Sequence, residues 1–337
     1  MAIKLDMSKV YDRVEWVFIE QMVRKLGFFE RWINLIIRRV SSISYSFMLN
    51  GSIYGLINPS RGLCQGDPLS PYMFLLCVEG FSSLVSQAVN SGEFLGFQCS
   101  RDGPTISHLF FVDDSLLFAQ AMVSNCVSIR RILDAYARAL GHIINFDKSA
   151  MCVSLSIPSQ ECDRLAAIIG FEVVDFHERY LGLPYFTRRK KKEIFDVITG
   201  RIWDKIRGWR DKFLSVGGKE VLIKAVIQSV PTYSMSLFQL PKCLLQETYR
   251  LSARFWWGSN CQSRKIHWCT WSRLCEAKEK GGLGFRDLEI FNKVVLANQC
   301  WCLMNNGNSL VARVLKVCYF PNDNFIDAEV KSTTSFI

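Results

Sequence analysis

The sequence predicts an α+β fold, and three observations predict it. Segments with helical periodicity alternate with short apolar runs of strand-like composition. Two of those run pairs flank hairpin signals, Asn50-Gly51 and Asp113-Asp114. From about residue 190 onward the pattern turns mostly helical and richer in Lys, Arg and Trp.

The elements follow in chain order. Residues 2–6 read as a short strand ending at Asp6. Val10, Val14, Val17, Phe18, Met22 and Leu26 then recur at helical spacing, with Gly27 able to cap the end. A second helix is expected over about 29–40. Ser44–Leu49 and Ser52–Leu56 form a hairpin around Asn50-Gly51, and residues 60–68 form a Gly-rich loop. Ser70-Pro71 opens an apolar helix, with Ser70 read as N-cap and Pro71 at the first helical position. A strand–Asp-Asp–strand unit comes next, then a helix over about 124–140 stopped by Gly141, and a short strand near 150–155. Arg188, Arg189, Lys190, Lys191 and Lys192 form a basic run, which places a boundary between 1–187 and 188–337.

Composition narrows the class. The 337 residues suffice for one large domain or two, and 49% hydrophobic content excludes a disordered chain. No uninterrupted apolar run approaches the ~20 residues of a membrane span, so no membrane partner is expected. The net charge is +10, which makes an acidic partner, nucleic acid first, the natural expectation. Thirteen cysteines, an odd number in mostly apolar surroundings, read as reduced core thiols of an intracellular protein. Cys300 and Cys302 are too close, and His267 too isolated, to suggest zinc.

Leu109-Phe-Phe-Val-Asp113-Asp114-Ser-Leu-Leu-Phe118 is the most informative stretch. Two carboxylates side by side between apolar runs repel and resist burial unless something positive compensates. An exposed acidic turn is the plain alternative, since Asp favours turns. Asp6 also ends a strand. If the strands are neighbours, three acids converge on one sheet edge, a supply of ligands that suits two Mg²⁺ ions and phosphoryl displacement. Between these acids lies Arg61-Gly-Leu-Cys-Gln65-Gly66-Asp-Pro-Leu-Ser-Pro71. There a glutamine amide stands beside a glycine that lets a backbone or base approach closely.

Together these segments resemble the palm of reverse transcriptases, specifically those of LINE-type (non-LTR) retrotransposons of the plant type. The first acidic motif matches Lys4-Leu-Asp6-Met-Ser-Lys-Val-Tyr11-Asp12-Arg-Val14, and the template-and-nucleotide loop matches Arg61 through Pro71. The double-aspartate motif matches Phe111-Val112-Asp113-Asp114. Two later motifs match Gly141-His-Ile-Ile-Asn145-Phe-Asp-Lys148-Ser149 and Tyr180-Leu-Gly-Leu-Pro184. Lys265-Ile-His-Trp268 and Gly281-Gly-Leu-Gly-Phe-Arg-Asp-Leu288 extend the likeness over nearly the whole chain.

The resemblance implies a palm with an antiparallel sheet and packed helices, followed by a mostly helical thumb. It implies an RNA-directed DNA polymerase that takes an RNA template, a DNA primer, dNTPs and two Mg²⁺, with Mn²⁺ as a substitute. Asp6 and Asp113 would be the principal metal ligands and Asp114 a third acid. Tyr11 would screen the sugar 2′ position, Arg61, Gln65 and Gly66 would serve the template and the incoming base pair, and Lys148 would donate a proton to pyrophosphate. Tyr11 can equally be a packed aromatic and Lys148 a solvated lysine. Asp12 stays out of the catalytic set.

The first motif stands at the start of the chain, so a fragment without the fingers region is expected. Val10 and Val112 replace alanines common in these motifs, and such overpacking costs about 1–3 kcal/mol. A catalytically inactive nucleic-acid-binding remnant is the alternative. Trp203, Trp209, Trp256, Trp257, Trp268, Trp271 and Trp301 are expected to be mostly core rather than base-stacking. Integration chemistry implies access to nuclear DNA.

Overall fold

Strict alternation along Ala2–Leu5 (β1) makes this strand the spine of the first half of the molecule. Ile3 and Leu5 are fully buried on one face, while Lys4 is directed to the other. The computed structural model describes residues 1–8, 11–101, 103–111, 114–141, 143–175, 179–180, 183–184, 191–210, 214–258 and 265–328. Two compact units divide the chain, Met1–Leu181 and Gly182–Ile337. Residues 185–190, which contain the expected 187/188 boundary, lie outside the described residues.

In the first unit β1 is followed by Met7–Ser8 (β2), a 3₁₀ turn at Tyr11–Arg13, and helices Trp16–Lys25 (α1) and Glu30–Ser41 (α2). The expected helix start near Val10 is corrected. Glu15 is extended, the helix begins at Trp16, and its buried stripe is Ile19 and Val23, while Val17 faces solvent. The hairpin Tyr45–Leu49 (β3) and Ser52–Ile57 (β4) turns through Asn50 and Gly51, both at positive φ as a type I′ turn requires.

Ser70–Asn90 (α3) starts with Pro71 in its first turn, but Ser70 is not the cap. The Leu69 N–H donates to the Asp67 carboxylate, and Arg39 pairs with the same side chain at 3.4 Å. By length and composition α3 could cross a membrane. Its Phe74, Cys77, Phe81 and Val85 are buried in the core of this unit.

Short strands Phe97–Gln98 (β5) and Thr105–Ile106 (β6) precede the hairpin His108–Phe111 (β7) and Asp114–Phe118 (β8). Then come Val123–Leu140 (α4), ended by Gly141 in the left-handed region, Ile143–Ile144 (β9), Ala150–Cys152 (β10), Ser159–Ile169 (α5), Glu172–Val173 (β11) and Arg179–Tyr180 (β12). The main sheet runs β11-β10-β1-β8-β7, with β1 antiparallel to both neighbours. Phe81 stacks on Phe110 at 4.8 Å and on Tyr136 at 4.5 Å, and the Tyr136 hydroxyl donates to the Cys77 carbonyl. Burial pushes the Cys77 thiol up to about 12. The expectation that the cysteines are core holds for Cys77 and Cys126 only in part of the set, because Cys243, Cys302 and Cys318 are exposed. All the described cysteines are free thiols.

The second unit is helical: after Leu183–Pro184 (β13) come Lys191–Arg210 (α6), Val216–Leu222 (α7) with a π-helical continuation at Ile223–Ile227, Thr232–Leu237 (α8), Lys242–Trp257 (α9), Trp271–Cys275 (α10), Leu288–Asn305 (α11) and Leu310–Tyr319 (α12). Ile202, Ile223, Ile227, Met235 and Leu288 centre its core, and Trp203, Trp209, Trp256, Trp257 and Trp271 pack against it. Trp268 and Trp301 are exposed.

Buried Asn292 of α11 ties the turn after α8. Its amide donates to the Met235 and Phe238 carbonyls, and its oxygen accepts the Leu240 N–H. Asn292→Ala removes three hydrogen bonds to backbone, two of them fully buried, and is expected to destabilise this unit by about 2 kcal/mol or more. Thermal unfolding would check this, and an unchanged midpoint would contradict it.

Candidate active site

The β1–β8 register pairs Leu5 with Ser115, so carrying it one residue further sets Asp6 opposite Asp114. Ser115 and Leu117 are buried with Ile3 and Leu5. Alternation puts Lys4 and Asp114 on the opposite face, and Asp6 is the residue that follows β1. The β7–β8 pairing closes with Phe111 opposite Asp114. Val10, Val112 and the expected ligand Asp113 lie outside the described residues. Lys4 Nζ stands 3.3 Å from the Asp114 carboxylate.

Asp6 is held by its backbone. Its N–H donates to the hydroxyl of Ser149 at 3.0 Å, and its carbonyl accepts the Asn145 N–H at 2.9 Å. Ser149 is buried. The same segment turns at 146–148 through the Lys148 and Ser149 N–H groups, both bonded to the Asn145 carbonyl. Lys148 is exposed on this turn. Sequence reading missed Ser149, because a partner 143 residues away leaves no local signal.

The Gly-rich loop is fixed to the segment after Asp6. The Gly62 N–H donates to the Val14 carbonyl, the Leu63 N–H to the Tyr11 carbonyl, and the Trp16 indole N–H to the Gly62 carbonyl at 2.7 Å. Arg61 pairs with Glu15 at 3.4 Å on an exposed edge, a contact worth little by itself. The Tyr11 ring stacks on buried Phe74 at 5.1 Å, so the tyrosine is a packed aromatic. Gln65 is exposed, and its side-chain amide bonds to no described residue.

Gly66 is at φ +93°, but a Cβ there would meet open space. Gly62 is the glycine that permits a close backbone approach. It is at φ +92°, and a Cβ would sit 2.8 Å from the Asp12 carbonyl oxygen. Arg188, Arg189 and Lys190 lie outside the described residues.

Comparison with known proteins decides the family. The model of the reverse transcriptase (RNA-dependent DNA polymerase) family matches residues 1–192, more than half of the chain. The chain belongs to the reverse transcriptase family.

Three relatives of this reverse transcriptase illustrate its neighbourhood. An Arabidopsis thaliana protein carrying a ribonuclease H name is 37% identical over 137 residues, 41% of this chain and 22% of that protein. An uncharacterized mitochondrial protein of the same plant is 38% identical over 109 residues, 32% of this chain and 71% of its own length. The retrovirus-related Pol polyprotein from the type-2 retrotransposable element R2DM of Drosophila melanogaster is 26% identical over 167 residues, 48% of this chain and 15% of its own length. The chain thus spans less than a quarter of the first and third of these relatives.

Proposed function

We propose that this reverse transcriptase adds deoxynucleotides to a primer 3′-hydroxyl under the direction of an RNA template. The observation that carries the proposal is the meeting of Lys4 and Asp114 across paired strands, with Asp6 directly after β1. The chemistry of this donor set fits a divalent ion. The acids are few, as Mg²⁺ prefers when phosphate oxygens complete its shell, and the face already draws a cation in the form of the Lys4 ammonium. Asp6, Asp113 and Asp114 would hold two Mg²⁺, or Mn²⁺, which activate the attacking hydroxyl and neutralise the departing pyrophosphate.

The remaining roles fall to side chains around this face. Tyr11, fixed by Phe74, excludes a ribose 2′-hydroxyl by bulk. Gln65 offers its unengaged amide to the incoming base pair, Gly66 leaves room for it, and Arg61 contacts the template. Lys148, on the turn tied to Asp6, gives a proton to pyrophosphate as the bond between the α- and β-phosphates breaks and the primer oxygen bonds to the α-phosphorus. The work is done inside the cell with access to nuclear DNA.

The experiment is primer extension on an RNA template and DNA primer with Mg²⁺ and all four dNTPs, comparing the chain with its Asp113→Asn variant. The parent should extend the primer and the variant should not, with equal thermal unfolding of both. Extension retained by Asp113→Asn would contradict the metal-site assignment.

A second reading, a nucleic-acid-binding protein without polymerase activity, is favoured by one observation. The second unit carries 25 Lys and Arg against 13 Asp and Glu, while the first carries 16 against 18. All of the excess positive charge therefore belongs to the second unit. On both readings the affinity for an RNA–DNA hybrid should be steeply salt-dependent. About four neutralised phosphates give a loss of about a hundredfold between 50 and 200 mM salt. Filter binding across that range would check it, and a flat response would contradict both readings.

A further inference from the structure

Lys4 has no place in the roles assigned above, yet its ammonium contacts the Asp114 carboxylate. It precedes Asp6 by two residues, and Asp6 directly follows β1. The register sets Lys4 across from Leu116, and its ammonium reaches diagonally along β8 to Asp114 at 3.3 Å. The two side chains are 26% and 32% exposed, so the pair is neither buried nor freely solvated.

We propose that Lys4 is a resident counter-cation of the acid face, a positioning residue that neutralises and holds Asp114 when no divalent ion is bound. The proposal rests on the metal-site reading under Proposed function. Carboxylates brought together on one sheet edge repel one another. A fixed ammonium relieves that repulsion at a cost to metal affinity, because an arriving divalent ion must share Asp114 with Lys4. Metal loading is then an exchange of partners at Asp114. A pair that served only as a surface salt bridge would contribute little, and its loss would leave metal affinity where it was.

The test needs no catalysis. Mn²⁺ is titrated into the full chain at low ionic strength, and free Mn²⁺ is read from its electron paramagnetic resonance. Thermal unfolding is followed in EDTA and again with Mn²⁺. Lys4→Met should bind Mn²⁺ about fivefold or more tightly, because one compensating charge is gone. Its unfolding midpoint should fall in EDTA and recover with Mn²⁺. Lys4→Arg, which keeps the charge, should behave as the parent. Lys4→Gln repeats the measurement if Lys4→Met does not fold.

Unchanged Mn²⁺ affinity in the neutral variants would overturn the proposal, as would equal tightening in Lys4→Arg. Asp6→Asn and Asp113→Asn separate the two levels. If they weaken Mn²⁺ binding while Lys4→Met has no effect, only the role of Lys4 fails. If they leave Mn²⁺ binding unchanged, the metal-site reading fails and the role of Lys4 falls with it.

Discussion

Asp6→Asn should lower the single-turnover rate of metal-dependent nucleotide addition at least about a thousandfold and leave thermal unfolding within about 2 °C of the parent. The two halves have separate causes. Asparagine keeps the shape of the side chain, and the contacts that hold this position are made by the backbone, through Ser149 and Asn145. Folding therefore loses little. Charge stabilisation at the reacting phosphate is worth several kcal/mol, and about 4 kcal/mol corresponds to a thousandfold at 1.36 kcal/mol per tenfold. Asp114→Asn should cost less, because the Lys4 ammonium already shares that carboxylate. Rates within tenfold of the parent in Asp6→Asn would remove Asp6 from the catalytic set.

The second large effect is structural. Gly62→Ala meets two obstacles at once, a φ of +92° and a backbone oxygen 2.8 Å from the new Cβ. Left-handed strain costs about 1–3 kcal/mol, and a backbone neighbour cannot swing aside as a side-chain end can. A loss of about 3 kcal/mol is expected, which in a unit of this size lowers the midpoint by about 6–12 °C. Gly66→Ala carries strain of the same kind into open space and should cost about 1 kcal/mol. Equal midpoints for the two variants in thermal unfolding would show that the loop is not clamped to Asp12 in solution. A loop freed from Tyr11 and Val14 should also lose extension activity, if the loop serves the incoming nucleotide as proposed.

Much of this arrangement was legible in residue order. The β7–β8 hairpin follows from apolar runs around two acids, and β3–β4 from Asn50-Gly51, because turn chemistry and strand period are local properties. That Asp6 and Asp114 stand at the ends of neighbouring strands required the register of β1 on β8, which no local pattern encodes. The face of α1 was misread because Val17 and Val23 both fit a helical period, and only packing selects the phase in which Val23 is buried. Ser70 looked like the cap because serine before proline is the usual signature, but Asp67 reaches the start of the helix from three residues earlier. Gly62 and Gly66 are indistinguishable as letters, and only the neighbouring Asp12 backbone tells them apart. Lys4 could have been found from sequence, since it lies on the strand that leads to Asp6. Most of the tail tryptophans are packed as expected, and the two exposed ones are set apart only by tertiary structure.

The most direct test of the central claim is single-nucleotide incorporation. The chain is given a DNA primer annealed to RNA templates that differ only in the first unpaired base, with Mg²⁺ and one dNTP at a time. Templated polymerisation predicts one added nucleotide, and only for the dNTP complementary to that base. Folded, hybrid-bound protein that adds nothing, or that adds nucleotides regardless of the template base, would contradict it.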